Sequence, residues 1–370
     1  MSEPRTIVYA GGGTGGHLFP GLAVADHVAK HRPELRQVFL IGWRRTELDI
    51  LGRYGYEHFA MDTPQMPQRV RELHPFIWRF ARAYRRSKRY LAENNVAAVV
   101  GLGGYGSVPM VLVARRRVPV VLLEQNTIPG KANRWLSRWA DVVVTSFEET
   151  AGYFGRRVRV QHLGNPVREG IAAGNRAEGR IRLGLSPERP TVLVWGGSLG
   201  AHAVNTAVTG NLERLKELSS RIQVVHQTGR DDENAVRAVY VQAGMQAHVA
   251  GFMDAPTAYA AADVFVGRAG ATTLAEVCLA GLPAVLIPYP LAAADHQMKN
   301  ARALERAGAA LVIDQSELTP ERLWDTVVGL LVDDVARQQA AEAARRLGRP
   351  HAAADVAELV LAKVGNGPGR

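Results

Sequence analysis

Short apolar runs alternate along the chain with longer amphipathic stretches. TIVYA (6–10), QVFLIG (37–42), AAVV (97–100), VPVVLLE (118–124) and DVVVTS (141–146) read as strands, with helical spacing between them, first from about Pro20 to His31 and then near Glu47 to Tyr54. Continuous apolar runs bounded by turn residues mark strands covered on both faces, and their alternation with helices predicts a parallel sheet. The rhythm restarts with TVLVW (191–195), IQVVHQ (222–227), HVAGF (248–252), DVFVG (263–267) and PAVLIP (283–288). Between the two series, GNPVREGI (164–171) carries a turn signal and the chain stays polar to Pro190. The pattern predicts an α/β protein of two Rossmann-like, doubly wound domains facing across a cleft. These are residues 1–167, N-terminal, and residues 168–370, C-terminal. Glu317 to Val364 reads as helices, the last of them able to pack back on the N-terminal domain.

Three of these strands run into glycine clusters: GGGTGGH (11–17), GLGGYGS (101–107) and GGSLGA (196–201). Glycine lets a backbone approach phosphate oxygens with its amides forward and no Cβ between. The first two clusters also satisfy G-x-G-x-x-G, the dinucleotide fingerprint. An NAD enzyme, however, needs an acid at the end of the second strand to hold the ribose. Here that strand ends in Trp43, Arg44 and Arg45, with no acid before Glu47. An NADP reductase could use the arginines, but it would have no use for a third cluster in a second domain.

Charge narrows the partners. The chain of 370 residues carries +10 overall. Residues 1–167 hold 24 Lys and Arg against 13 Asp and Glu, and residues 168–370 hold 21 against 22, so the whole excess lies in the first half. Such asymmetry points to an anionic membrane surface or to nucleic acid; no nucleic-acid motif is present. The single cysteine, Cys278, lies in an apolar run and reads as a buried thiol. The start of the chain, MSEPRTIVYA, lacks the apolar stretch of a signal peptide. Val96 to Ala114 and Val277 to Ala294 carry no charge, but glycine and proline break both, as strand–turn–helix segments do. No D-x-D triplet and no His/Cys spacing of metal type occurs, so neither a metal nor another cofactor is expected; Asp231-Asp232 and Asp333-Asp334 read as solvated pairs.

GGGTGGHLFPGLAVA, GLGGYGSVP, EQNTIPGKANRWL, GNPVR, GGSLGAHAVN, HQTG and RAGATTLAEVCLAGLPAVLIPYPLAAADHQMKNA follow one another from about residue 7 to residue 302. In this order they resemble the MurG family, bacterial UDP-N-acetylglucosamine transferases of the two-Rossmann-domain (GT-B) class that convert lipid I into lipid II. The resemblance implies an inverting transfer of GlcNAc from UDP-GlcNAc to the MurNAc C4 hydroxyl of lipid I, at the cytoplasmic face of the cell membrane. It implies that His17 is the base, an imidazole able to take a proton near neutral pH. It places Thr14, Gly15 and Gly16 among the substrate-binding residues, and Gly103, Gly104 and Tyr105 in an acceptor-diphosphate loop. Arg168 and Ser198 correspond to diphosphate contacts, and Asn126 and Gln297 to positions associated with the GlcNAc sugar. The Met253 backbone corresponds to the uracil reader. Ala271, Thr272, Thr273, Leu274 and Ala275 open a helix whose N-terminus meets the nucleotide diphosphate, and Glu276 would bind the ribose hydroxyls; an exposed helical glutamate is the plainer alternative. Helix amides, Ser198 and Arg168 would help the diphosphate leave. Many members of the family carry histidine before EQN, where this chain has Leu123. A related GT-B transferase acting on a glycerolipid or another acceptor is the alternative reading. Other cell-wall synthesis or division proteins stand as open partners.

Residues 69–89 add a surface. RVRELHPFIWRFARAYRRSKR holds eight Arg or Lys and one Glu. Leu73, Phe76, Ile77, Phe80 and Tyr84 share one helical face, expected to pack on the domain. Arg79, Arg82, Arg86, Arg89 and Trp78 share the other. Tryptophan among arginines suits a lipid headgroup boundary, so Phe76, Trp78, Arg79, Arg82, Arg86 and Arg89 are the expected membrane contacts.

Overall fold

The computed structural model describes residues 4–13, 15–63, 67, 69–172, 174–197 and 200–365. It separates into two compact units, residues 1–168 with 351–370, and residues 169–350. The units thus divide after Arg168, and the C-terminal helix Ala352–Gly365 belongs to the first unit. That helix buries Val356, Ala357, Val360 and Val364 in one cluster with Leu18, Leu22, Ala25 and Val28 of the helix Gly15–His31. Arg5 donates to the Val364 carbonyl at 2.9 Å.

The first unit is a seven-stranded sheet of β1 (Thr6–Gly11), β2 (Arg36–Ile41), β3 (Glu57–Ala60), β4 (Val96–Gly103), β5 (Val120–Glu124), β6 (Val142–Thr145) and β7 (Val160–His162). Its order is β3-β2-β1-β4-β5-β6-β7. The second has six strands: β8 (Thr191–Trp195), β9 (Gln223–Gln227), β10 (Ala247–Ala250), β11 (Val264–Gly267), β12 (Ala284–Leu286) and β13 (Ala310–Val312). Its order is β10-β9-β8-β11-β12-β13. Every pairing is parallel. The interior strands β1, β4, β8 and β9 are buried along their whole length, as parallel strands covered on both faces must be. The pattern of apolar runs omits β3, β7 and β13. All three are short and lie at sheet edges, where β3 alternates exposed with half-buried residues.

In each sheet the strand order reverses beside the first strand, between β1 and β4 and between β8 and β11. Ligands of open α/β sheets bind outside the carboxyl ends of the strands at such a switch point. All three glycine clusters follow β1, β4 or β8, so sheet topology alone puts them at those two places. Cys278 is buried, and desolvation pushes its thiol up to about 12. No helix among the described residues is long and apolar enough to cross a membrane.

Candidate functional site

In the first unit the ends of β1 and β4 meet backbone to backbone. Gly11 pairs in register with Gly103, and a Cβ on Gly11 would lie 2.5 Å from the Gly103 carbonyl oxygen. A Cβ on Gly104 would lie 2.8 Å from the Gly12 carbonyl oxygen. All four glycines have positive φ, so side chains are excluded by conformation as well as by space. The first two clusters are therefore one interlocked structure. Against it rests half-buried His17, in the first turn of the helix Gly15–His31. A Cβ on Gly103 would stand 2.9 Å from its Cδ2 and 3.3 Å from its Nε2. The structure thus brings together His17, Gly103 and Gly104, which lie far apart in sequence, with Tyr105 following in the same turn.

Gly13 behaves differently. Its N–H donates to the Glu47 carboxylate, and its carbonyl accepts from Arg44. A Cβ on Gly12 would overlap that carboxylate. Glu47, too late in the chain to hold the ribose of NAD, is buried under the first turn instead.

At the end of β5, buried Glu124 organises the loop that carries Asn126. It accepts from the Asn126 N–H at 3.0 Å and from Asn126 Nδ2 at 3.4 Å. It also accepts from the Gly130 N–H and Asn133 Nδ2, both at 3.0 Å. Desolvation raises its pKa, and these hydrogen bonds oppose the rise. Gln125 donates to the Leu102 carbonyl at 3.2 Å, tying this loop to the β4 turn. Neither Glu124 nor Gln125 stood out in the sequence as more than a motif letter. Leu123, where many members of the family carry histidine, is buried in the core.

The second unit repeats the plan with other parts. Gly267 pairs with Trp195, and a Cβ on it would lie 2.5 Å from the Trp195 carbonyl oxygen. The helix Ala271–Ala280 starts directly beyond, with Gly270 as its N-cap, so no side chain of the cap covers the amides of Ala271, Thr272 and Thr273. Leu274 is buried and Ala275 half-buried. Glu276 is 2% exposed and accepts a hydrogen bond from the Tyr259 hydroxyl at 3.1 Å. Burial overturns the plainer alternative of an exposed helical glutamate, because a carboxylate is withdrawn from water only against polar partners.

Gly200 is packed on the HQTG segment, where its Cβ would lie 2.5 Å from the Thr228 carbonyl oxygen, whereas nothing among the described residues lies within 4 Å of a Cβ on Gly197. Asp232 is not the solvated residue the sequence predicts. It accepts from Asn205 Nδ2 at 2.8 Å and meets His202 Nδ1 at 2.9 Å. Asn205 Oδ1 in turn meets His226 Nε2 at 3.0 Å, and His226 Nδ1 meets the Tyr240 hydroxyl at 2.9 Å. The Asn205 amide donates to Thr228 and Asp232, so its oxygen accepts, which assigns His226 as the neutral Nε2–H tautomer. Burial lowers its pKa to about 3. Met253 is buried beside exposed Phe252. Gln297 Oε1 accepts from the Tyr289 N–H at 3.0 Å. Thr14 and Ser198 lie outside the described residues.

Arg168 falls in the first unit, its guanidinium 4.2 Å from the centre of the Phe19 ring. The basic helix Leu73–Glu93 departs from its predicted faces. Its inward side runs through Phe76, Phe80, Ala83, Ser87 and Tyr90. Leu73 and Ile77, expected against the domain, are 46% and 57% exposed, next to Trp78 at 68%. Two of the expected membrane arginines are engaged within the chain. Arg79 grips Asp62 with two nitrogens and holds its carboxyl below the usual range, and Arg89 meets Glu93 at 2.8 Å. Arg82 and Arg86 are exposed.

Residues 7–145 match the glycosyltransferase family 28 N-terminal domain, and residues 191–359 match the glycosyltransferase family 28 C-terminal domain. The chain is 40% identical over 356 residues to the UDP-N-acetylglucosamine--N-acetylmuramyl-(pentapeptide) pyrophosphoryl-undecaprenol N-acetylglucosamine transferase of an Anaeromyxobacter species, covering 95% of this chain and 92% of that relative. It is 37% identical over 367 residues to the protein of the same description in Geobacter sulfurreducens, covering 96% and 98%. Among solved structures, MurG of Acinetobacter baumannii aligns with a TM-score of 0.75 at 31% identity, over 97% of this chain and all of that one.

Proposed function

The chain belongs to the MurG family of glycosyltransferase family 28, and from that premise we propose that it moves GlcNAc from UDP-GlcNAc to the MurNAc C4 hydroxyl of undecaprenyl-diphospho-MurNAc-pentapeptide, lipid I, giving lipid II. The observation that carries this reading in the geometry is His17 resting on Gly103, where the turns after β1 and β4 interlock. A half-buried imidazole there can take a proton from a hydroxyl whose own diphosphate meets the same turns.

The first unit holds the acceptor. Gly15, Gly16 and the Gly103–Tyr105 turn face its diphosphate, and Asn126, braced by Glu124, faces the transferred sugar. His17 removes the proton from the C4 hydroxyl, and the oxygen forms a bond to the anomeric carbon from the face opposite the nucleotide. The bond from that carbon to the diphosphate breaks, UDP departs with the electron pair, and the configuration inverts. The second unit holds the donor. The amides that open the helix Ala271–Ala280 meet the diphosphate, while Glu276 takes the ribose hydroxyls, the Met253 backbone takes the uracil, and Gln297 takes the GlcNAc.

The acceptor lies in a membrane, and the enzyme works as a peripheral protein on its cytoplasmic face. Exposed Leu73, Ile77 and Trp78 beside Arg82 and Arg86 support that placement, as apolar side chains among cations at a headgroup boundary. The test is transfer of labelled GlcNAc to a lipid I analogue beside a diacylglycerol control. Label on the lipid I analogue alone is the expected result, and preference for the glycerolipid would overturn the proposal in favour of a glycolipid-forming transferase.

A further inference from the structure

HQTG recurs in the motif series without a role in the reaction just described. Its His226 is bound within the buried network of Asn205 and Tyr240. Its Gln227 points elsewhere. Gln227 is buried, and its single amide nitrogen donates to two backbone carbonyls, Gly197 at 2.9 Å and Gly251 at 3.0 Å. Gly197 belongs to the turn after β8, and Gly251 opens the segment that leads to Met253 after β10. One side chain therefore spans the turn that carries Ser198, for which the resemblance implies a diphosphate contact, and the segment proposed to meet the base of the same nucleotide.

Three details argue that this bridge is specific. The amide cannot be turned over, because its oxygen would then face two carbonyl oxygens. Its Oε1 is buried and meets no donor among the described residues, so the hydrogen bonds the amide makes among them both go to these two carbonyls. The Gly251 backbone is also held from the other side, where its N–H donates to Glu233 Oε2 at 2.7 Å. A Cβ there would lie 3.0 Å from that oxygen and 3.1 Å from the Arg230 Cα, so the position has little room for a side chain.

We infer that Gln227 is a positioning residue that couples the base-reading turn to the diphosphate turn, so that either half of the nucleotide orders the site of the other. The inference rests on the second unit being the UDP site. Hydrogen exchange of the whole protein tests it, read on the Gly196–Ala201 and Gly251–Met253 segments with saturating uridine, inorganic diphosphate or UDP. Uridine alone is expected to slow exchange in both segments, and diphosphate alone likewise. In Gln227→Met, similar in size but unable to donate, each fragment should protect only its own segment, and the Kd for UDP should rise about tenfold or more. If UDP binds the unaltered protein but uridine protects Gly251–Met253 alone, the coupling is wrong while the donor site stands. If UDP does not bind at all, both fall. Should Gln227→Met fail to fold, the exchange pattern of the unaltered protein still decides.

Discussion

The two units share a strand order and a switch point but secure their glycine turns by different means. In the first, Gly11, Gly12, Gly103 and Gly104 press backbone on backbone, and the absence of side chains is itself the contact. In the second, Gly200 of the turn after β8 also presses on backbone, at the Thr228 carbonyl, but side chains add to it: Gln227 holds Gly197, and Asn205 holds Thr228, backed by buried His226. Glycine letters that look alike in sequence thus answer different requirements. Gly11 must be glycine for packing, while Gly197, with no described residue near its Cβ position, is set apart by its left-handed backbone.

The sharpest way to break this comparison is to add a methyl group on each side of it. Gly11→Ala combines positive φ with overlap of the Gly103 carbonyl and should cost about 3 kcal/mol or more of folding stability. Gly197→Ala meets only the left-handed penalty, about 1 kcal/mol. Thermal or urea denaturation of the two variants measures the gap, and equal losses would erase the distinction.

Acid should strain the second unit through His226. The unfolded imidazole takes a proton near 6.5, whereas the buried one resists until about 3. Stability is then lost as pH falls through that window, because the unfolded state binds more protons. Between pH 6.5 and pH 5 the loss is about 2 kcal/mol, with charged Asp232 reducing it. His226→Gln should flatten this part of the profile in urea titrations at several pH values. An unchanged slope would remove His226 from the account.

Glu276→Ala should weaken UDP by about 2 kcal/mol in calorimetry, since a charged acceptor for hydroxyls is lost. Lipid I analogue binding should stay unchanged. If acceptor binding moved instead, the units would not divide the substrates as proposed. The smallest effect belongs to the surface. Arg82→Ala should lower affinity for anionic vesicles by about 1 kcal/mol or less, measured by sedimentation. Folding stability should stay within about 0.5 kcal/mol.

Much of this was legible in the chain. Interior strands buried on both faces write themselves as unbroken apolar runs, and all ten of those runs contain or overlap strands. β3, β7 and β13 were missed because an edge strand of three or four residues has little apolar surface to declare. The glycine clusters were readable as turns. Their interlock was not, because it depends on the register of β1 on β4, which no local pattern encodes. Glu47 shows the same limit: its spacing argues against NAD, but only the fold reveals that it binds the first glycine turn. On the basic helix the periodicity was right and the inward direction was off by part of a turn, which left Leu73 and Ile77 outside. Gln227 gave no signal beyond its place in HQTG, since a side chain that bridges two backbones carries no mark of either.

The division of labour between the units is tested most directly by measuring turnover and UDP binding together in His17→Ala. The proposal predicts that kcat for transfer to a lipid I analogue falls about a hundred- to ten-thousandfold, the usual contribution of a general base, while the Kd for UDP is unchanged. Retained turnover, or a loss of UDP affinity in step with it, would contradict the assignment of the base to the first unit and of the donor to the second.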